Sequence, residues 1–397
     1  MHGLKFLHTR IEKACAHIHR ARLAALFAGV RSLLEGAPLT LTGLGRGVGG
    51  AVYEKHNIKR IDRLLGNRHL HHERLSLYQA LLAWLMRRSG WVTLLVLVDW
   101  SDCPNRKFLM LKAAVPVGGR ALALYHEVHP LSDYKSARVH EQFLRRLAQL
   151  IPPSTRVLVI ADAGFQRPWF KVVEQLGWHW IGRLAETTQV RVNGQPWQAV
   201  KALPAAGRAV DFGWCQVAKS EPYRARLCLI HRKCKQRKDR PSTRAHGHGS
   251  IAARCRKANS APWALVTSLP PELYSAEQVV NFYAQRMQVE ETFRDFKSPR
   301  FGYGLEYTRS NSPERLEILL LIATLAMLVQ WLYGSAGEMA GWSRHFQANT
   351  VSHKRVLSLF TLGARLLRNQ RFIIELRLLL RALANLWRIA APTPALT

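Results

Sequence analysis

"WVTLLVLVDW", residues 91–100, is a nearly continuous apolar run of strand length that ends at Asp99. A run of this kind, without alternating polar residues, is typical of a strand buried on both faces. A second run, "TRVLVIADAGF" at residues 155–165, ends at Asp162. The sequence therefore predicts two buried strands, each closed by an aspartate.

Helical patterns surround these two runs. "RALALYHEVHP" (120–130) has the composition of another strand, and "APWALVTSLP" (261–270) that of a later one. "SARVHEQFLRRLAQLI" (136–151) and "RPWFKVVEQLG" (167–177) have the apolar spacing of helices. Strands alternating with helices predict an α/β layer with parallel strand pairing.

The regions outside this layer have other patterns. Helical spacing predicts an N-terminal helical DNA-binding domain over residues 1–85 and a C-terminal helical region over 313–397, suited to dimerisation. Between them lies a core over 86–312. Alternating runs around Asn193-Gly194 predict a mainly β insertion at about 183–260, and its basic end is expected to order on nucleic acid.

The chain is strongly basic along its whole length. Its 397 residues include 58 Lys and Arg against 26 Asp and Glu, a formal net charge of +32. Such an imbalance favours a polyanionic partner, with nucleic acid ahead of a membrane surface. The one long apolar run, residues 318–333, is shorter than a bilayer core requires, which favours a buried helix and no membrane partner.

Six cysteines without a CxxC pair indicate a reduced, cytosolic chain. Cys234, His246, His248 and Cys255 have spacings that match no standard zinc finger. The arginine-rich, acid-poor N-terminus resembles a transit peptide, and a DNA-facing helix explains it equally well. "GRGVGG" (45–50) satisfies GxGxxG, but no predicted strand precedes it, so dinucleotide binding is rejected.

The segment "KHNIKRIDRLLGNR" (55–68) predicts a basic amphipathic helix. Its apolar residues would face the core, while basic side chains would grip DNA phosphates. A merely solvated face is the alternative interpretation. The predicted phosphate contacts are Lys55, Lys59, Arg60 and Arg63.

The aspartates at the ends of the buried runs cost folding free energy unless another charge compensates theirs. A divalent cation is a common compensator, and hard oxygen ligands suit Mg²⁺ or Mn²⁺. Strand-end aspartates also act simply as turn formers. Asp102 competes with Asp99, which is preferred because it ends the apolar run directly.

"FYAQRMQVEETFRDFK" (282–297) predicts one helix that carries a third carboxylate. At about 100° per residue, four of its side chains fall within an arc of about 60°, and Glu291 points away from that arc. A solvated face with i,i+4 pairs is the alternative. The four residues are Tyr283, Arg286, Glu290 and Lys297.

These four residues, at Y-x2-R-x3-E-x6-K spacing, match the signature of the insertion sequence four family of bacterial DDE transposases. "LVDWSD", "DAGF" and "MQVEETFRDFKSP" resemble the branch that includes the transposase of the tetracycline-resistance transposon Tn-ten. The resemblance runs from residue 55 to residue 350. It implies a ribonuclease-H-like catalytic core, a mainly β insertion before the glutamate, and two Mg²⁺ ions, replaceable by Mn²⁺, held by Asp99, Asp162 and Glu290.

The resemblance also implies partners and roles. Tyr283, Arg286 and Lys297 would contact phosphates of the transposon end, and Trp263 would stack on a base flipped out during hairpin formation, with a buried core Trp as the alternative. The protein would work as a homodimer on paired ends, in the bacterial cytoplasm at the nucleoid. An inactive DNA-binding relative and a nuclease without strand transfer are the competing functions.

Overall fold

The computed structural model describes residues 1–86, 93–104, 106–231, 262–348, 350–351, 353–369 and 371–390. The basic end of the insertion and the four zinc-ligand candidates lie outside these residues. By compactness the chain divides into two units, Met1–Val157 with Met287–Leu396, and Leu158–Arg286. The functional domains predicted from the sequence have other bounds and stay predictions.

The helices and strands of the described residues follow in chain order. The helices are α1 (His2–Ala14), α2 (Arg20–Glu35), α3 (Leu41–Gly47), α4 (Glu54–Leu65), α5 (Arg68–Met86), α6 (Ala137–Leu150), α7 (Arg167–Gln175), α8 (Ala276–Ala284), α9 (Met287–Lys297), α10 (Pro313–Met339), α11 (Ser343–Phe346), α12 (Leu359–Arg368) and α13 (Leu376–Ala390). The strands are β1 (Thr93–Asp102), β2 (Phe108–Pro116), β3 (Ala121–Pro130), β4 (Arg156–Ala161), β5 (His179–Arg183), β6 (Gln189–Val192), β7 (Gln198–Ala199), β8 (Val210–Val217), β9 (Tyr223–Ile230) and β10 (Trp263–Thr267).

The sheet of the first unit is an antiparallel meander in the order β3-β2-β1. Short turns join these strands, and a short turn can only return the chain antiparallel. The predicted parallel pairing is therefore wrong here. Strand β2 was not predicted, because Lys112 interrupts its apolar run although the side chain is buried. Strand β1 continues past Asp99 to Asp102, and its fully buried part ends at Asp99.

The core of the first unit contains a long apolar helix. Helix α10 has 27 residues and is therefore longer than the run predicted from the sequence. Ser312 caps its first turn by accepting a hydrogen bond from the Arg315 backbone N–H. Among the described residues it is the one helix long and apolar enough to cross a membrane. Within its apolar 18-residue segment, 94% of the residues are buried inside the fold.

Helix α4 has the amphipathic form predicted for it. Ile61, Leu64 and Leu65 are buried. The glycine-rich segment before it serves packing: a Cβ on Gly45 would lie 2.5 Å from the Cα of Ile58. The lysines and arginines of α4 are all exposed, namely Lys55, Lys59, Arg60 and Arg63.

The second unit begins with a parallel pair. Strand β4 and strand β5 are joined by α7, and Leu158 pairs with His179, so the predicted parallel pairing is confirmed for these strands. The remaining strands extend the sheet in the order β5-β10-β9-β8-β6-β7, with antiparallel neighbours. Asn193 and Gly194 adopt positive φ angles of 48° and 74° in the β6–β7 hairpin, which confirms the predicted turn.

Candidate active site

The segment predicted as one helix forms two. Helix α8 ends at Ala284 and α9 begins at Met287. The Arg286 backbone N–H bonds to the carbonyl of Tyr283, three residues back, so the last turn of α8 tightens and the helical ladder stops. The prediction that Tyr283, Arg286, Glu290 and Lys297 share one helical face is therefore wrong. Tyr283 and Arg286 belong to the second unit, and Glu290 and Lys297 to the first.

Asp99 lies in the buried part of β1. It is 7% exposed, and its Oδ1 accepts a hydrogen bond of 2.9 Å from the Trp100 backbone N–H. Its partner in the antiparallel register is Lys112 on β2. Asp102, the competing candidate, is exposed at the end of the same strand. The two aspartates of the "DWSD" segment therefore have different surroundings, and the buried one is Asp99.

Three side chains on one side of helix α9 anchor it on the β2–β3 turn. They are Gln288, Thr292 and Asp295, spaced four and three residues apart. Gln288 Oε1 accepts hydrogen bonds from the backbone N–H groups of Val117 (3.1 Å) and Gly119 (2.9 Å). Thr292 Oγ1 accepts one from the Ala121 N–H at 2.8 Å. Asp295, one turn further along, pairs with Arg120. This anchoring fixes which face of α9 is exposed.

Glu290 and Glu291 consequently lie in different surroundings. Glu290 is exposed. Glu291 pairs with Arg294 one turn along the helix, and its Oε2 lies 3.8 Å from the Arg120 guanidinium. Glu291 is thus part of the ion-pair group that holds α9 in place.

Lys297 ends α9 beside the last residues of β1. Its Nζ donates a hydrogen bond of 2.8 Å to Ser101 Oγ. Burial lowers the pKa of Lys297, and the nearby Asp102 carboxylate acts in the opposite direction. The first unit thus places a cation at the carboxyl end of the strand that carries Asp99.

Asp162 directly follows β4, as the sequence predicted. Its Oδ1 accepts a hydrogen bond of 2.8 Å from the Gly164 backbone N–H, which closes a short turn. The side chain is partly exposed, whereas Ala161 before it is buried. The turn therefore orients the carboxylate at the end of the parallel β4–β5 pair.

Tyr283 is the centre of a charged group in the second unit. Its ring is 3% exposed. Burial raises the pKa of the Tyr283 phenol, the guanidinium groups of Arg286 and Arg183 lower it, and Asp162 raises it. These charges are therefore close to one phenol. The guanidinium carbon of Arg286 lies 6.0 Å from the centre of the Tyr283 ring.

Arg183 was not identified from the sequence. It ends β5, in register with Leu265 of β10, and belongs to the same charged group as Asp162. Its signal in the sequence is weak: a single arginine after the short strand "HWIG". Only the parallel pairing of β4 with β5, which places both carboxyl ends at one edge, identifies it.

Trp263 begins β10 and is partly exposed. Its ring meets the Tyr283 ring edge to face, with centroids 5.2 Å apart and an interplanar angle of 72°. The side chain is therefore not the fully buried core tryptophan of the alternative interpretation. Tyr283 supports it from one side.

The candidate metal ligands come from both units. Within the part of the chain that the structure describes, no three His, Cys, Asp or Glu side chains form a cluster able to hold a metal ion. The donor chemistry of the candidates is suitable all the same, because carboxylate oxygens are the ligands that Mg²⁺ and Mn²⁺ prefer. Asp99 and Glu290 belong to the first unit and Asp162 to the second.

Comparison with known protein families identifies a matching family. Residues 94–329 match the family model described as "Transposase DDE domain". The match covers more than half of the 397 residues, from β1 into α10, and includes all three candidate carboxylates. No curated protein matches the chain with significance.

Proposed function

Since this chain belongs to the transposase DDE domain family, we propose that it is a DNA transposase of the insertion sequence four family, with a ribonuclease-H-like core. Membership of the family implies a DNA substrate and an enzyme that uses divalent metal ions. The proposed reaction is cut-and-paste transposition. The enzyme nicks the 3′ strands of the element, forms and opens hairpins, and joins the freed 3′ ends to target DNA.

One observation carries the proposal: in the second unit, the candidate carboxylate Asp162 stands in a group that also holds basic side chains, and in the first a lysine lies at the end of the strand that carries Asp99. In the second unit, the charges of Arg183, Arg286 and Asp162 all act on the phenol of Tyr283. In the first, Lys297 bonds to Ser101, two residues beyond Asp99. Metal-ligating carboxylates next to phosphate-binding cations are what phosphodiester chemistry requires.

The metal ions have assigned ligands in this proposal. Asp99, Asp162 and Glu290 would hold two Mg²⁺ ions, which Mn²⁺ would replace. When bound, such ions activate a water or hydroxyl nucleophile and stabilise the leaving oxygen. A single site can thereby serve hydrolysis, hairpin formation and strand transfer.

The protein's own side chains position the DNA. Lys297, Arg286 and Arg183 neutralise phosphates of the transposon end, and Tyr283 supports Arg286 and Trp263 with its buried ring. The exposed basic face of α4, with Lys55, Lys59, Arg60 and Arg63, grips the DNA backbone. The active form in this proposal is a homodimer on paired ends, at the nucleoid of a bacterial cytoplasm and without a membrane partner.

A strand-transfer assay tests the function. The purified protein is incubated in Mg²⁺ with a labelled element end and a circular target plasmid. We expect products in which the 3′ end of the element is joined to the plasmid. Cleaved ends without joined products would identify a nuclease, and end binding without either product would identify an inactive DNA-binding relative.

The basic side chains of the site are expected to set the salt dependence of DNA binding. Replacing Arg183, Arg286 or Lys297 by Gln should reduce the slope of log K against log salt by about 0.9, the contribution of one phosphate contact on duplex DNA. Arg145→Gln is the control, because Glu141 already pairs with this exposed arginine at 2.9 Å. A slope equal to that of the control would contradict direct phosphate contact.

Trp263→Ala is expected to impair hairpin formation and to preserve the first nick. Stacking on a flipped base contributes about 1–3 kcal/mol and acts at one step only. Trp263→Phe, which keeps an aromatic face, should form hairpins at nearly the normal rate. Denaturing gels separate nicked from hairpin products; equal loss of both in the alanine variant would indicate a purely structural tryptophan.

A further inference from the structure

Two neighbouring segments of the first unit form a basic surface next to β1. The turn between β1 and β2 with the start of β2 (103–108), and the end of β3 with the loop after it (129–138), contain four Lys or Arg and one acidic residue. The Leu131 backbone N–H bonds to the carbonyl of Lys107 at 3.1 Å, so the two segments meet. We call this region the basic turn surface. Its four cations are all exposed, namely Arg106, Lys107, Lys135 and Arg138.

Aromatic rings belong to the same surface. Trp100, partly exposed near the end of β1, donates a hydrogen bond of 3.0 Å from its indole N–H to His140. The Trp100 ring meets the Tyr134 ring edge to face, with centroids 5.9 Å apart. Tyr134 is 46% exposed, and the Nζ of Lys135 lies 5.0 Å from the centre of its ring. Exposed cations next to ring faces are typical of surfaces that bind nucleic acid, because cations neutralise phosphates and rings stack on bases.

The backbone holds two of these cations in an unfavourable conformation. Arg106 and Lys135 have φ angles of 54° and 62°, in the left-handed region that L side chains disfavour. Glycine would adopt these angles without strain, so each turn presents a cation at a cost in folding free energy. Within the part of the chain that the structure describes, Arg106, Lys135 and Arg138 form no ion pair with a carboxylate. Strained turns that present such cations indicate an anionic partner outside the chain.

We propose that the basic turn surface binds target DNA during strand transfer, an inference that rests on the proposed function. Successive side chains of a strand point to opposite faces, so Trp100 leaves β1 on the face opposite to Asp99 and Ser101. Lys297, assigned above to the transposon end, bonds to Ser101. The surface around Trp100 is therefore on the other face of β1 from that contact. Cations and ring faces bind DNA without reading its sequence, which suits a target that differs from one insertion to the next.

A double variant, Arg106→Gly with Lys135→Gly, removes both cations and relieves the strain of both turns. Its binding to a duplex without element sequence is measured by filter binding in EDTA at several salt concentrations. The slope of log K against log salt should fall by about 1.8, the contribution of two phosphate contacts. The unfolding midpoint should not fall, because glycine fits positive φ angles. An unchanged slope, or a midpoint lowered by more than about 5 °C, would overturn the proposal.

Ala218→Gly is the matched control for the backbone change. Ala218 has a φ angle of 65° in the turn between β8 and β9, and its side chain carries no charge. This variant should relieve the same kind of strain and bind the duplex with the wild-type salt slope. A slope reduced as much as in the double variant would show that backbone relaxation, and not loss of the cations, weakens binding; that result also overturns the proposal.

End cleavage and strand transfer in Mg²⁺ identify which DNA the surface binds. The double variant should cleave an isolated element end at nearly the wild-type rate and give on the order of 10-fold fewer products joined to a plasmid at physiological salt. Equal loss of cleavage and joining would assign the surface to the transposon end, and unchanged joining would exclude target binding; both overturn the proposal. If the wild type joins no ends, the proposed function fails, while a slope reduced in EDTA still supports DNA binding by this surface.

Discussion

Asp99→Asn and Asp162→Asn are each expected to abolish DNA strand cleavage in Mg²⁺ while end binding is retained. The amide keeps the size of the carboxylate and an oxygen that can accept the Trp100 or Gly164 backbone N–H. It removes the negative charge that the metal ions require. We expect a loss of roughly 1,000-fold or more, at or above the upper end for deleting one electrostatic contact in an active site.

The measurement pairs a band-shift assay with a cleavage assay on the same labelled end fragment. Asp102→Asn is the matched control, because this exposed aspartate ends the same strand as Asp99. It should cleave at a rate near that of the wild type. Cleavage retained by Asp99→Asn and lost by Asp102→Asn would mean that Asp102 is the ligand.

Glu290→Gln is expected to lose nearly all cleavage in both Mg²⁺ and Mn²⁺, whereas Glu291→Gln should retain it. The two glutamates are neighbours and chemically identical, but the anchoring of α9 separates their roles. Gln288, Thr292 and Asp295 hold one side of the helix on the β2–β3 turn. Glu290 is exposed, and in the proposed function it is the glutamate that holds a metal ion.

Glu291 instead belongs to the ion pairs that hold the helix. It pairs with Arg294, and its side chain is 33% exposed, so its loss should lower the free energy of unfolding by at most about 1 kcal/mol. Single-turnover cleavage of an end fragment measures the activity of both variants, and urea unfolding measures their stability. The reverse order of severity would identify Glu291 as the metal ligand.

Features that depend on local sequence could be predicted. A continuous apolar run followed by Asp162 defined a buried strand and its end, because burial on both faces allows few polar residues. The basic and apolar periodicity of α4 predicted its exposed and buried sides. Asn193-Gly194 predicted a hairpin, because both residues tolerate the positive φ angles of such a turn.

Features that depend on tertiary structure could not be predicted from the sequence. Strand β2 contains Lys112, whose burial is explained by nearby carboxylates and aromatic rings and not by its own segment. No proline or glycine marks the break between α8 and α9 before Met287. The local sequence "YAQRMQVEE" favours one continuous helix. Arg183 acquires its significance only when β4 and β5 pair in parallel.

We propose that Asp99, Asp162 and Glu290 hold the same metal ions. Iron-directed cleavage of the protein tests it most directly. Fe²⁺ replaces Mg²⁺ on the DNA-bound protein, ascorbate and peroxide generate radicals at the metal, and the backbone cuts are mapped. We expect cuts near all three residues, suppressed by excess Mg²⁺ and by Asp162→Asn. Cuts confined to one unit, or unchanged in Asp162→Asn, would contradict a shared site.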